Sequence, residues 1–371
     1  MSQPIRVVIV DDSVLMRRML TELLTRDPVI TVVGTASNGQ EGIEIVKAVR
    51  PDVVIMDVRM PVMDGLAATE HVMAYCPTPI LVLTASLARH EVDITFKMLE
   101  AGALEVIEKP SVSDAHELER AAGDLVQRVK LLSRVKVVTH LRGRRKQNTA
   151  AGQPIPAPPS VTPAAPAKPA TPVYNEPWAF PVIVIGASTG GPRVVYQILA
   201  ALPANLQAAI IVVQHIAAGF SNGMATWLAT GCRIPIALAT EGMLIHPGEV
   251  LIVPDQCNLL MSRTGRVRLS EERIHLQHPS VDVTMRAAAD TFGGRTIGVL
   301  LTGMGRDGAE GMLAIKQAGG ITLAQDETSS TIFGMPRAAK EVGAVEELLP
   351  PGDIAKRLIA LVQERSRSVT A

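Results

Sequence analysis

Short apolar runs alternate with amphipathic stretches along most of the chain. In the first third the runs cover residues 6–10, 31–33, 53–56, 80–83 and 104–107. Such runs fit strands buried on both faces, and the helical segments between them make the strands parallel. A five-stranded sheet is therefore predicted, closed by a helix at 117–135 whose stripe is Leu118, Ala122, Leu125, Val129 and Leu132. Further runs at 182–185, 208–213 and 296–301 predict a second parallel sheet. Residues 250–253 and 259–262, then 267–269 across Thr264-Gly265, read as hairpin strands flanking that sheet. Between them, residues 150–177 are dominated by Pro and Ala with no periodicity to bury, the mark of a semi-rigid, extended linker. The predicted class is α/β: two doubly wound parallel-sheet domains, at 4–130 and 180–362, joined through residues 137–178.

Open α/β sheets do their chemistry at the carboxyl ends of their strands. In the first domain those ends carry Asp11 and Asp12, Asp57, Thr84 and Lys109. Carboxylates gathered in one crevice repel unless a cation joins them, and Mg²⁺ takes one or two carboxylates, keeps waters and bridges to phosphate. Lys109 and the Thr84 hydroxyl would then face the remaining phosphoryl oxygens.

In the second domain the first run turns sharply through Gly186-Ala187-Ser188-Thr189-Gly190-Gly191 into a helix, exposing a hydroxyl where helix N–H groups converge. Such a spot suits an oxyanion or a bound phosphate. A dinucleotide loop fits poorly, because the G-x-G-x-x-G spacing is absent, Pro192 follows the glycines, and the next strand ends in Gln214-His215 rather than an acid. The third run ends in Thr302-Gly303-Met304-Gly305-Arg306-Asp307-Gly308, so Ser188, His215 and Asp307 share one rim. A serine needs a base, and the base a carboxylate, in whatever chain order. Alternatives remain at this level: His215 as a structural residue, Asp307 as a helix cap, and His275 or His278 as competing bases. The two last lie in a polar stretch without ligand spacing for a metal.

The five segments Gly186 to Gly191, Gln214-His215, Pro279-Ser280-Val281-Asp282-Val283, Leu301 to Gly308 and Gly334-Met335-Pro336 resemble the catalytic domain of the chemotaxis protein-glutamate methylesterase/glutaminase family. That resemblance implies a Rossmann-like domain with an added β-hairpin region, a triad of Ser188, His215 and Asp307, and oxyanion-binding amides at Thr189 and Met304. Asp11-Asp12-Ser13, Asp57, Met60-Pro61-x-x-Asp64-Gly65, Thr84 and Lys109-Pro110 resemble a flavodoxin-like response-regulator receiver. There the resemblance implies Asp57 as phosphoacceptor, Thr84 and Lys109 as phosphoryl contacts, and Mg²⁺ held by Asp11, Asp12, Asp57 and the Arg59 carbonyl. It also implies a sensor histidine kinase as phosphodonor and methyl-accepting chemoreceptor helices as substrate, with phosphorylation relieving autoinhibition. No cofactor is expected for the esterase chemistry.

Three positions depart from the family patterns. Ile216-Ala217-Ala218 replaces the usual Met-Pro after the histidine, which is expected to loosen that loop. Arg59 stands where these methylesterases often carry an acid, and its guanidinium is placed to pair with the phosphoryl group or obstruct the attacking water. Val106, where receivers often carry an aromatic switch residue, is too small to swing in and out of a cavity.

Composition narrows the alternatives. With 36 basic and 36 acidic side chains among 371 residues and 47% apolar content, the chain can build two cores and has no electrostatic footprint for nucleic acid. The basic stretch 142–146 is short and follows a helix end, with no DNA-binding signature after it. That argues against a transcription factor, while the complete serine, histidine and aspartate set argues against a non-catalytic signalling scaffold. Three scattered cysteines suit reduced thiols in a cytoplasm, and neither a membrane-spanning run nor a signal-peptide core is present.

Overall fold

The computed structural model describes residues 3–85, 89–110, 115–137, 180–272 and 277–370. The Pro/Ala-rich segment and His275 lie outside these residues. The first domain runs β1 (Ile5–Val10), α1 (Val14–Thr25), β2 (Ile30–Ala36), α2 (Gly39–Val49), β3 (Val53–Asp57), α3 (Gly65–Tyr75), β4 (Ile80–Thr84), α4 (Arg89–Ala101), β5 (Glu105–Glu108) and α5 (Ala115–Leu132). All four strand pairings are parallel, in the order β2-β1-β3-β4-β5. Because strand side chains alternate, Val7, Ile9, Val53, Ile55, Leu81 and Leu83 pack on α1 and α5 through Leu20, Leu24, Leu125 and Val129. The opposite face, Val8, Val10, Val54 and Met56, packs on α2 to α4 through Ile43, Val46, Val72 and Phe96. Ser13, Asn38 and Asp64 cap α1, α2 and α3 with side-chain oxygens.

The second domain contains β6 (Val182–Ala187), α6 (Gly191–Ala201), β7 (Ala209–Gln214), α7 (Ser221–Ala229), β8 (Ile236–Leu238) and β9 (Glu249–Ile252). It continues with β10 (Asn258–Met261), β11 (Val267–Ser270), α8 (Val281–Phe292), β12 (Thr296–Leu300), α9 (Ala309–Gln317), β13 (Ile321–Gln325), α10 (Met335–Glu341), β14 (Glu347–Leu349) and α11 (Pro351–Thr370). Seven strands form a parallel sheet ordered β14-β13-β12-β6-β7-β9-β8. The chain leaves β6 toward β7 and later returns to β12 on its other side, so the crevice at the carboxyl end of β6 is a topological switch point.

The hairpin expected from the pattern begins later in the chain. Residues 250–253 are not a hairpin arm: β9 lies inside the sheet, parallel to both β7 and β8. Four apolar residues look the same in either setting, and only burial on both faces tells them apart. The hairpin itself is β10 with β11, antiparallel across the turn at Gly265.

The two domains share a core. Helix α4 lies against α7, where Phe96 stacks on Trp227 with centroids 5.2 Å apart and Trp227 stacks in turn on Tyr196 at 5.0 Å. The Trp227 indole N–H donates to Glu100 at 2.9 Å. A buried aromatic with its polar edge satisfied makes a defined joint rather than a loose apposition.

Candidate active site

Strand β6 ends at Ala187, whose register partner is Gln214, and the His215 amide donates to the Ala187 carbonyl at 2.9 Å. Ser188 and His215 therefore leave neighbouring strands side by side. On the other flank of β6, β12 delivers the loop from Thr302 to Asp307, and the Ser188 amide donates to the Thr302 carbonyl at 3.0 Å. The turn after Ser188 needs Gly190, which sits at φ +76°. Gly303 is needed for a different reason: a Cβ there would stand 2.7 Å from that of Ser188.

Asp307 is the most heavily held group on this rim. Its Oδ2 lies 2.8 Å from His215 Nε2 and accepts from the Val281 amide at 2.7 Å. Its Oδ1 accepts from the Ser280 hydroxyl and the Asp282 amide, both at 3.0 Å. Those amides belong to the first turn of α8, so a helix N-terminus solvates the carboxylate. Burial raises the Asp307 pKa, but hydrogen bonding and charge from His215 and the two amides outweigh it and bring the group down to about 2. An ionised Asp307 fixes Nε2 as the protonated ring nitrogen, leaving the Nδ1 lone pair of a neutral imidazole free for a proton. His278 lines the same cavity, but its ring nitrogens have no hydrogen-bond partner among the described residues and it lacks this carboxylate.

The amides of Thr189 and Met304 donate to no acceptor among the described residues, whereas their neighbours Ser188 and Gly303 both do. Two residues without an expected role tie the rim together. Gln214 is 2% exposed and its side-chain NH₂ donates to the carbonyls of both Ser188 and His215, at 2.8 and 2.9 Å. Ser280 is placed by Asn258 of the hairpin, whose side chain accepts from the Ser280 amide at 2.8 Å. A glutamine ending a wholly apolar strand, and a serine opening a helix, are the signals that would have marked them. Just past the loop at 216–218, Asp255 Oδ2 accepts from the amides of Gly219 and Ser221 and from the Ser221 hydroxyl.

In the first domain Asp11, Asp12 and Asp57 present carboxylate oxygens all within 4.8 Å of one another. The Lys109 ammonium lies 2.7 Å from Asp11 and 2.8 Å from Asp57, and so divides its charge between them. Burial raises the Asp57 pKa to about 6 despite Lys109, and the Asp11 charge adds to the rise. An all-oxygen set short of positive charge fits a hard divalent cation. Thr84 ends the adjacent strand, 1% exposed, with its hydroxyl 3.4 Å from Glu91. Arg59 stands at the same edge, but its guanidinium pairs with Glu91 at 2.8 Å rather than reaching over Asp57.

The pattern of the CheB methylesterase family matches residues 183–358, and that of the response-regulator receiver domain matches residues 7–122. A relative from Anaeromyxobacter dehalogenans named protein-glutamate methylesterase/protein-glutamine glutaminase 2 is 42% identical over 97% of this chain and 98% of its own. The chain belongs to that family. A methylesterase/glutaminase from Syntrophus aciditrophicus is 39% identical over 96% of this chain and 98% of its own. The crystal structure of the Thermotoga maritima CheB methylesterase catalytic domain is 37% identical, covers 49% of this chain and 99% of that one, and superposes with a TM-score of 0.48.

In this methylesterase the two rims meet. The Thr189 hydroxyl, one residue past Ser188, donates to Glu105 of β5 at 3.1 Å, and Arg128 of α5 pairs with the same carboxylate. A cavity of about 650 Å³ lies between the domains, with Ser188, His215 and Met304 on one wall and Leu104, Val106 and Ile107 on the other.

Proposed function

We propose that this protein hydrolyses the γ-methyl esters of glutamates on the cytoplasmic helices of methyl-accepting chemoreceptors. Ser188 attacks the ester carbonyl while His215 takes its proton through Nδ1, and Asp307 holds the ring and steadies the imidazolium. The amides of Thr189 and Met304 receive the oxyanion. Methanol leaves with the proton from His215, and water then releases the glutamate carboxylate by the reverse roles. A glutamine side chain follows the same path with ammonia as leaving group. The single observation carrying this reading is the His215–Asp307 hydrogen bond at 2.8 Å, with Asp307 anchored on a helix N-terminus beside the strand that bears Ser188.

The receiver supplies control. Asp57 takes a phosphoryl group from a sensor histidine kinase, with Thr84 and Lys109 contacting its oxygens. Mg²⁺, held by Asp11, Asp12, Asp57 and the Arg59 carbonyl, would neutralise charge at that site when bound. The unmodified receiver covers the catalytic rim, and the added phosphoryl charge biases this packing. A tight switch requires a bias of about 5 kcal/mol. In this reading the protein acts in the cytoplasm. Among the described residues no helix is long and apolar enough to cross a membrane.

Labelling with a fluorophosphonate followed by peptide mapping tests nucleophile and switch together. The label is expected on Ser188, and Ser188→Ala is expected to lose several orders of magnitude in methanol release, as in other triads. Methanol release by Ser188→Ala at the wild-type rate overturns the assignment.

A further inference from the structure

The docked receiver covers the rim and leaves the base and its carboxylate joined. Asp307 still holds His215, and the Thr189 and Met304 amides are still without acceptors among the described residues. What the receiver takes away is space. The space left is about 650 Å³ walled by both domains, whereas a receptor helix about 10–12 Å across must lie along the rim that the receiver occupies. Small molecules are another matter, because cavities of this size are ordinary ligand pockets.

The wall opposite Ser188 is mixed, with Leu104, Val106, Ile107 and Pro110 set among Glu105, Glu108 and Arg128. Val106 matters most here. Its small side chain lines the receiver side of the cavity that Ser188 lines from the other.

We infer that the docked chain is a working esterase for small carboxylic esters, and that the receiver selects by substrate size instead of switching the chemistry off. This rests on Ser188 being the nucleophile. Ser188 Oγ bonds to the acyl carbon as the ester C–O bond breaks, and the serine proton passes through His215 to the departing alcohol. Water then attacks the acyl-serine, giving up a proton to His215, which returns it to Ser188 Oγ as the carboxylic acid leaves. No oxidant or reductant takes part.

The test compares two substrates on the full chain, with and without a small acyl phosphate and Mg²⁺: p-nitrophenyl acetate and a twenty-residue helical peptide bearing one glutamate γ-methyl ester. Rates are taken above those of Ser188→Ala, which removes background acylation. Without phosphodonor the acetate is expected to turn over, and phosphodonor is expected to change its rate by less than about twofold while raising peptide demethylation about tenfold or more. Val106→Trp fills the chamber and is expected to cut acetate kcat/KM about fivefold without phosphodonor, with recovery when it is added. Val106→Phe reads the same effect should the tryptophan variant fail to fold. An acetate rate that is nil without phosphodonor, or that climbs in step with the peptide rate, overturns the inference, as does indifference to both Val106 variants. Retention of activity by Ser188→Ala with phosphodonor present overturns the underlying reading instead.

Discussion

Two aspartates, each at the carboxyl edge of a parallel sheet, have been pushed in opposite directions. Asp307 accepts four hydrogen bonds, two of them from the first turn of α8, and is brought down to about 2. Asp57 accepts one backbone amide, from Val58 at 2.8 Å, shares Lys109 with Asp11, and is raised to about 6. Asp57 is buried and the Asp307 side chain is only 10% exposed, so burial alone decides neither. The difference lies in whether the protein itself completes the carboxylate's solvation. Asp307 is finished, and suits a permanent charge that orients a base. Asp57 is left wanting positive charge, which suits a site that a cation and a phosphoryl group complete.

Asp307→Asn puts the finished carboxylate to the test. The amide keeps the shape but loses the charge that fixes the His215 tautomer, and kcat for methyl-ester hydrolysis is expected to fall about 10⁴-fold with little change in KM, as in other triads. A loss of less than tenfold removes Asp307 from the catalytic set. In stability the sign is that of a depressed carboxylate: the contribution is present above the unfolded pKa of 3.8 and is lost as pH falls toward 2.

For Asp57 the sign reverses. The native state holds its proton more tightly than the unfolded chain, so this group's contribution to stability declines as pH rises from about 4 to about 6. Mg²⁺ requires the ionised form. Its affinity, measured by titration calorimetry, is expected to be level above about pH 6 and to drop about tenfold per unit below it. An affinity that stays level down to pH 4.5 means that Asp57 is an ordinary carboxylate and the contrast is void.

Much of this was legible in the chain. Runs of Val and Ile located β1, β3, β4, β6, β7 and β12, and the polar residues closing them located both rims, because an apolar strand that ends in Asp, Gln-His or Gly-Ala-Ser has few structural reasons to do so. Residues 347–349 gave no such signal: β14 is three residues long and opens with a glutamate. The role of Gln214 was hidden because its partners are backbone carbonyls, which sequence does not display. The Thr189–Glu105 contact joins residues 84 apart on different domains, and no local rule reaches that far.

The joint between the domains can be weakened by itself. Glu100→Ala removes the acceptor of the Trp227 indole without touching either site. Hydrogen bonds to charged groups are worth about 1.5–3 kcal/mol, so peptide demethylation without phosphodonor is expected to rise about tenfold. Unchanged basal turnover, with the variant folded, means that this joint does not hold the receiver over Ser188.

Glu91 helps to keep Asp57 unfinished. Glu91 draws aside two groups that a phosphoryl group at Asp57 would attract, the Arg59 guanidinium at 2.8 Å and the Thr84 hydroxyl at 3.4 Å. Arg59 is largely exposed, so its ion pair is worth only about 0.2–1 kcal/mol. Glu91→Gln releases the guanidinium toward the phosphoryl oxygens, where it stabilises their charge and crowds the approach of water. The phosphorylated chain is therefore expected to decay about two- to threefold more slowly, followed by inorganic phosphate release after removal of the phosphodonor. The double change with Arg59→Ala is expected to erase that difference, which separates the effect of the guanidinium from any loosening of α4. Faster decay in Glu91→Gln, or persistence of the slowing without Arg59, shows that Glu91 acts through Thr84 instead.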